Sequence, residues 1–356
     1  MNTLENTFKK KLIKVLENAS EYMSEADLDS LAVSFAADYA HNTVPQIAED
    51  IVKSLKESSE DRLQAIREYA DGFVDRNIKR WKNGFDALEL LINVSLEIGE
   101  EFNNTYRETA VQEQNVQFDT LVRLHARACH IASEILWLLK GGFADGAHAR
   151  WRALHEVVVT AKFLLDHEHE VAIRYREHEV IESYKAMQQI NKYEPRLKIK
   201  GYSEEELKAC EELRDKVIHK YGVNFKGSYG WAAEALDMKN PNFFHLEEAV
   251  KLDHFRPYYK WASQNIHANV HGIINKLGLV ETEVDTLLAG ASNSGMTDPA
   301  DLTSLSLTSI TVGLLTIYPN MDSLVSQHVI KKLGMDIGEI FLKVESEDSP
   351  SEFVPE

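Results

Sequence analysis

The chain has 356 residues, of which 44% are hydrophobic and 27% charged, so it is long enough to bury a substantial core. Its 57 acidic and 39 basic residues give a net charge of -18, which opposes non-specific association with nucleic acid or anionic lipid. The two cysteines cannot form a disulfide framework, so a reducing cytoplasm is the expected compartment.

The first third of the chain shows helical periodicity. Its apolar residues recur at spacings of three and four, and its first residues lack the uninterrupted apolar run of a signal peptide. The pattern predicts an N-terminal helical subdomain over residues 1–115.

The middle of the chain predicts a helical bundle over residues 116–280. Gly141 and Gly142 separate two long helical patterns, which predicts that the helices on either side pack antiparallel. The helical period lapses between residues 222 and 241, and it resumes in a single predicted helix from Phe255 to Leu277.

The C-terminal part predicts further helices over residues 281–344, followed by an acidic disordered tail over residues 345–356. The most apolar window, 304–318, is shorter than the roughly 20 residues of a membrane span, so we expect a buried helix and no membrane association. The predicted fold class is therefore an all-α multi-helix bundle with an N-terminal helical subdomain and a C-terminal helical extension.

The segment 142–156 concentrates Arg, His and Glu on one predicted helix. Arg150 and His155 have the spacing found in the HEPN ribonucleases, in which Arg neutralises a phosphate and His moves a proton without metal. A spacing of five residues turns a helix by about 140°, so the two side chains converge only near a helix end or across a homodimer interface. We expect Arg150 and His155 to be the catalytic pair if the chain is an enzyme.

Neighbouring charges on the same helix allow a structural interpretation as well. Arg152 and Glu156 are four residues apart, which favours a helix ion pair that also touches His148 or His155. Under the enzyme hypothesis, Arg152, Glu156 and His148 support the catalytic pair.

Two further histidines, His267 and His271, are spaced to share one helix face. Ala268 stands where a zinc protease helix has Glu, which removes the peptidase interpretation. The pair either hydrogen-bonds at a helix interface or completes a polar cavity beside the central motif. We expect neither a metal ion nor a cofactor.

An aromatic loop around Tyr229 and Trp231, together with Tyr258, offers faces for a ligand or for packing. The chain has no P-loop, no dinucleotide fingerprint and no Gly-x-Ser-x-Gly elbow, which disfavours nucleotide-driven and hydrolase-elbow mechanisms.

Four stretches in this order resemble a family of bacterial proteins that carry domain of unknown function 5677. They are residues 73–89, 149–156 (Ala-Arg-Trp-Arg-Ala-Leu-His-Glu), 229–232 (Tyr-Gly-Trp-Ala) and 263–272. The resemblance covers most of the chain and implies an all-helical cytoplasmic protein without an established activity. Helical families with a comparable central helix are linked to HEPN-like toxins and phage defence.

Two functions follow as hypotheses. The first is a HEPN-like, metal-independent ribonuclease or toxin in bacterial defence, which acts on RNA as a homo-oligomer. The alternative is a non-enzymatic helical module that binds a partner protein or a small ligand through Tyr229 and Trp231.

Overall fold

A computed structural model describes residues 2–282 and 286–347, and throughout these ranges the regular structure is helical, with no β-strand. The predicted all-α fold class is confirmed. The described chain divides into two compact units, of which the first ends at Phe73 and the second begins at Val74. The domain boundaries predicted from the sequence stay predictions.

The first unit is a set of amphipathic helices. They are α1 (Asn2–Ala19), α2 (Glu25–Asp38), α3 (Val44–Glu57) and the start of α4 (Ser59–Arg80), with a π-helical turn at Tyr39–Thr43 between α2 and α3. Phe8 packs against Phe35 and Tyr39, with ring centroids 6.0 and 5.1 Å apart. No side chain described between residues 3 and 73 is fully buried, so this unit has only a thin apolar centre.

The second unit contains the end of α4 and the remaining helices. They are α5 (Lys82–Gln112), α6 (Val116–Lys140), α7 (Ala144–Leu165), α8 (His169–Glu177), α9 (Glu179–Leu197), α10 (Glu204–Tyr221), α11 (Phe243–Ala249), α12 (Arg256–Ile266), α13 (Val270–Ile274), α14 (Thr297–Leu314), α15 (Met321–Met335) and α16 (Ile337–Glu347). Four short 3-10 segments connect them at Val223–Lys226, Gly230–Ala232, Asp253–Phe255 and Leu277–Leu279.

The central layer consists of α6 and α7, which pack against each other, with α14 against both. Their connection is the predicted glycine pair. Gly142 has a φ of +82°, and the Phe143 amide donates to the Leu138 carbonyl at 2.8 Å. This is the Schellman motif, in which a residue in the left-handed conformation ends a helix and the amides that follow donate hydrogen bonds to the last helical carbonyls. The chain therefore reverses at Gly142 and returns along α6.

Polar side chains join α14 to the two central helices inside the core. The Trp151 indole on α7 donates to the Leu302 carbonyl and to Ser306 Oγ, both at 3.0 Å. His125 Nε2 on α6 lies 3.0 Å from Thr311 Oγ1, and burial lowers the pKa of this histidine to about 4. These contacts place α14 across the centre of the fold.

The C-terminal helices α15 and α16 pack against α14 and α5. The predicted disordered tail over residues 345–356 is wrong at its start, because Glu345 to Glu347 complete α16 and Glu345 accepts a 2.7 Å hydrogen bond from Thr297. The rest of that tail lies outside the described residues. None of the described helices combines the length and the apolar character that crossing a membrane requires.

Gly99 on α5 makes room for the His125 ring, so its replacement tests this packing. A Cβ at residue 99 would lie 2.5 Å from two ring atoms of His125. We expect Gly99→Ala to lower the free energy of unfolding by about 1–3 kcal/mol, because the overpacked ring cannot move freely within the core. Urea denaturation followed by circular dichroism measures the change.

The matched control is Gly146→Ala on α7, where the nearest atom to the new Cβ would be 3.7 Å away. Because alanine favours the helix without a clash, this variant should be neutral or more stable by up to about 1 kcal/mol. Equal unfolding midpoints for the two variants would contradict the assigned packing of Gly99 against His125.

Candidate functional site

The central motif lies on α7, and its side chains point in different directions. Trp151, Leu154 and Val158 are buried and fix the helix in the core. The helical spacing then directs Arg150 toward α6, whereas His155 and Glu156 contact α11 and α12. The motif therefore contributes to two separate polar contacts.

His155 forms the inner part of the site together with the buried carboxylate of Glu247. These two residues and Arg256 are called the His155 group. The His155 Nε2–H donates to Glu247 Oε1 at 3.0 Å, and the imidazole is only 2% exposed while the Glu247 side chain is 0% exposed. The second oxygen of Glu247 accepts a hydrogen bond from Arg256 at the start of α12. One carboxylate thus joins α7, α11 and α12.

Aromatic side chains enclose the His155 ring. Its centroid lies 5.2 Å from Trp151, 5.9 Å from Phe243, 5.8 Å from Phe255 and 5.9 Å from Tyr259. Such surroundings strengthen the hydrogen bond to Glu247, because they exclude water from it.

Arg152, Glu156 and Tyr259 form the outer part of the site, which is called the Arg152 group. The predicted helix ion pair is confirmed, with Arg152 Nε 3.3 Å from Glu156 Oε1, but within the described chain neither residue hydrogen-bonds to His148 or His155. The same oxygen accepts a 2.6 Å hydrogen bond from the Tyr259 hydroxyl. The guanidinium groups of Arg152 and Arg256 lie 4.7 and 5.0 Å from the Tyr259 ring centroid, so cation–π contacts connect the outer to the inner part.

Tyr259 and a second tyrosine near Glu156, Tyr229, are both held in the protonated form. Burial raises the pKa of Tyr259, as does its hydrogen bond to Glu156. Burial also raises the pKa of Tyr229 to about 12, with a further contribution from the Glu156 charge. Neither hydroxyl can therefore serve as a base near neutral pH.

Arg150 does not join this group. Its guanidinium pairs with Glu134 on α6, and the same carboxylate lies 3.4 Å from His130. Arg150 and His155 consequently hold different partners on different sides of α7.

His148 lies one helical turn before Arg152 and is completely buried. Its ring centroid is 5.7 Å from Trp151 and 5.3 Å from Trp261, and within the described chain neither ring nitrogen has a hydrogen-bond partner of normal geometry. Burial lowers the pKa of His148 to about 4, an effect that the Tyr258 carbonyl opposes. His148 is therefore a neutral packing residue at physiological pH.

The predicted continuous helix from Phe255 to Leu277 is wrong. His267 is extended, with a φ of -98° and a ψ of 138°, and Asn269 caps a new helix by accepting a hydrogen bond from the Gly272 amide at 2.8 Å. Gly272 permits this break, because a Cβ there would lie 2.2 Å from the Gln264 carbonyl oxygen.

This break separates His267 from His271, which therefore do not share one helix face. Both are exposed, and within the described residues neither makes a hydrogen bond or a ring contact with the His155 group. The two histidines are therefore not part of the His155 group in the described part of the chain.

The aromatic loop turns inward. Trp231 is 3% exposed and makes edge contacts with Phe163 and Tyr175, at centroid distances of 5.5 and 5.0 Å. Tyr229 is half-buried beside Phe243, whereas Tyr258 is exposed. Of the three aromatic residues proposed for ligand binding, Trp231 thus belongs to the core.

The residue that organises the site, Glu247, was missed by sequence reasoning. It occupies the apolar stripe of α11, between Phe243, Leu246 and Val250, where a carboxylate is out of place. That misplaced charge is the signal that could have identified it. Elsewhere, the described residues contain no group of three or more His, Cys, Asp or Glu side chains that could hold a metal ion.

We expect Glu247→Ala to lower the free energy of unfolding by about 3–5 kcal/mol, because it removes the carboxylate and leaves the His155 and Arg256 groups without their partner. Its neighbour Glu248 is exposed, so Glu248→Ala on the same short helix should change the stability by at most about 0.5 kcal/mol. Chemical denaturation measures both variants. A small effect of Glu247→Ala would show that the buried pair does not stabilise the fold.

The lowered pKa of His148 predicts a pH dependence of stability. The unfolded chain binds a proton at this residue near pH 6.5 and the folded chain only near pH 4, so stability falls as the pH falls through that interval. Between pH 7 and pH 5, we expect the free energy of unfolding to fall by about 2 kcal/mol less in His148→Leu than in the wild type. The exposed His328→Leu is the control and should follow the wild type. If the free energies of unfolding of His148→Leu and the wild type depend on pH in the same way, the lowered pKa of His148 is refuted.

Comparison with known proteins finds a family model that matches the segment containing this site. The model of the family of unknown function DUF5677 matches residues 118–284, which include every member of the His155 and Arg152 groups. No curated protein and no solved structure matches the chain. The predicted resemblance to this family is confirmed over residues 118–284, which are less than half of the chain, so the match is shorter than the sequence analysis predicted.

Proposed function

We propose that this chain is a non-enzymatic helical ligand-binding module, in which the Arg/His/Glu motif of α7 organises the fold. The observation that carries the proposal is the burial of His155. A general acid or base must come within hydrogen-bond reach of the substrate atom that it protonates or deprotonates. His155 is 2% exposed, donates its Nε2–H to Glu247, and is surrounded by aromatic rings.

The position of Arg150 also supports a structural role. A phosphate-binding arginine needs N–H donors that face the substrate, next to the group that moves the proton. Arg150 pairs with Glu134 on α6, while the His155 group faces α11 and α12. Within one chain, the two side chains therefore do not approach a common phosphate.

The HEPN-like ribonuclease hypothesis makes the opposite assignment, with Arg150 on the scissile phosphate of RNA and His155 as general acid or base across a homodimer. The net charge of -18 works against RNA binding unless a local basic surface compensates for it. A role in bacterial defence depends on the same cleavage, so one assay tests the whole hypothesis.

The assay incubates wild-type protein and the Arg150→Ala/His155→Ala double variant with structured and single-stranded RNA in EDTA, and follows cleavage on a denaturing gel. We expect neither protein to cleave RNA above the buffer background. We also expect the double variant to have a lower melting temperature, because Glu247 loses its hydrogen bond with His155 and Glu134 loses its pair with Arg150.

The control is His130→Ala, which changes an exposed histidine that contacts the same Glu134. Cleavage by the wild type and by His130→Ala, but not by the folded double variant, would overturn the proposal and establish the ribonuclease. Equal cleavage by all three proteins would identify a contaminating nuclease.

A further inference from the structure

A cavity of about 440 Å³ lies in the second unit, where the end of α5 turns into α6 and α8 packs against α6. Its apolar wall is formed by Ala110, Val111, Phe118 and Ile173, and its charged side includes Arg107 and Arg176. The volume falls within the range of small-molecule sites, and the combination of an apolar wall with a few polar groups is typical of them. It shares no lining residue with the His155 group.

Asp119 at the edge of this cavity is bound by three arginines from three helices. Arg107 Nη1 on α5 lies 2.6 Å from Oδ1, while Arg123 Nε on α6 and Arg176 Nη1 on α8 lie 2.9 and 2.7 Å from Oδ2. Burial by itself would raise the pKa of Asp119, but hydrogen bonds from Arg123, Arg107 and Arg176 hold it well below its usual range. The carboxylate is therefore ionised at neutral pH.

Three guanidinium groups around one carboxylate leave a local excess of positive charge in a chain whose net charge is strongly negative. The remaining acid of the cavity wall, Glu177, is paired with Lys220 at 3.0 Å. Arg176 uses only Nη1 on Asp119, and among the described residues its Nε and Nη2 have no hydrogen-bond partner. These two groups are therefore available to donate hydrogen bonds to an anionic ligand.

The N-terminus of α6 adds to the positive electrostatic potential in this cavity. Asn115 caps this helix of 25 residues, and both Asn115 and Val116 line the cavity. The Asn115 side chain accepts from the Phe118 amide at 2.9 Å, so it satisfies one of the free N–H groups of the first turn. The helix dipole favours negative charge at this end.

We propose that this cavity binds a small organic carboxylate with an apolar body, its carboxylate held by Arg176 and its apolar part packed on Val111, Val116 and Ile173. Arginine pairs with carboxylates through two parallel hydrogen bonds, as its fork geometry allows. The apolar wall favours a carboxylate with a hydrocarbon body over inorganic phosphate, which has no apolar part to pack against it. The inference rests on the proposed function and names its ligand class.

The test titrates the full chain with sodium octanoate by isothermal calorimetry at about 0.15 M ionic strength, where charges outside the cavity are largely screened. Octanol and sodium acetate are compared as probes that lack the charge or the apolar body. We expect one octanoate per chain with a Kd below about 1 mM, and binding at least about tenfold weaker for either comparison probe.

Two variants locate the binding. Arg176 is 46% exposed, so Arg176→Gln should keep the fold and weaken octanoate binding by about tenfold. Val111 is 65% exposed, and Val111→Glu places a repelling carboxylate in the cavity without disturbing the core, so it should abolish binding.

The matched control is Arg123→Gln, which removes another exposed partner of Asp119 from outside the cavity lining and should change the Kd by less than about twofold. The assignment would be overturned if the wild type does not bind octanoate or if it binds acetate as tightly as octanoate. It would also be overturned if Arg176→Gln and Val111→Glu bind octanoate as tightly as the wild type does. RNA cleavage is measured separately, so a failure of the proposed function is distinguishable from a failure of this site.

Discussion

The arrangement around α7 depends on one buried carboxylate. Glu247 lies on a helix of seven residues that is too short to be stable by itself. It binds His155 on α7 with one oxygen and Arg256 on α12 with the other. A charge without solvent access must be paired in this way, since isolated burial would cost several kcal/mol. The pairing therefore determines where α11 and the start of α12 lie against α7.

The outer contacts follow from this inner pair. With α12 fixed by Arg256, Tyr259 on the next turn reaches Glu156 and lies between the guanidinium groups of Arg152 and Arg256. Three residues that suggested chemistry in the sequence, Arg152, His155 and Glu156, thus all have partners within this arrangement. By contrast, the arginines around Asp119 outnumber the carboxylate that they share, and they do so beside an open cavity. Unused donors distinguish a binding site from a structural network better than the abundance of reactive residues does.

Local features of the fold were predictable from the sequence because they depend on neighbouring residues. The turn at Gly142 needs only a residue that adopts a positive φ, and the pair of Arg152 with Glu156 needs only one helical turn. The partner of His155 was not predictable, since Glu247 is 92 residues away along the chain. The helix break at His267 was hidden as well, because it depends on the close approach of Gly272 to Gln264. Periodicity describes one helix at a time and contains no information about such long-range contacts.

The family segment and the structural unit have different extents, and the difference bears on how the site can be studied. The match begins at residue 118 and ends at residue 284, whereas α5 and α14 lie outside it. Helix α5 packs against α6, and α14 packs against both α6 and α7. Trp151 donates to the Leu302 carbonyl on α14, and His125 lies against Thr311 on the same helix. An isolated segment 118–284 would therefore expose the apolar faces of its two central helices and lose Arg107 from the cavity. The smallest part of the chain that retains both the His155 group and the arginine-lined cavity in a closed core extends from α5 to α14.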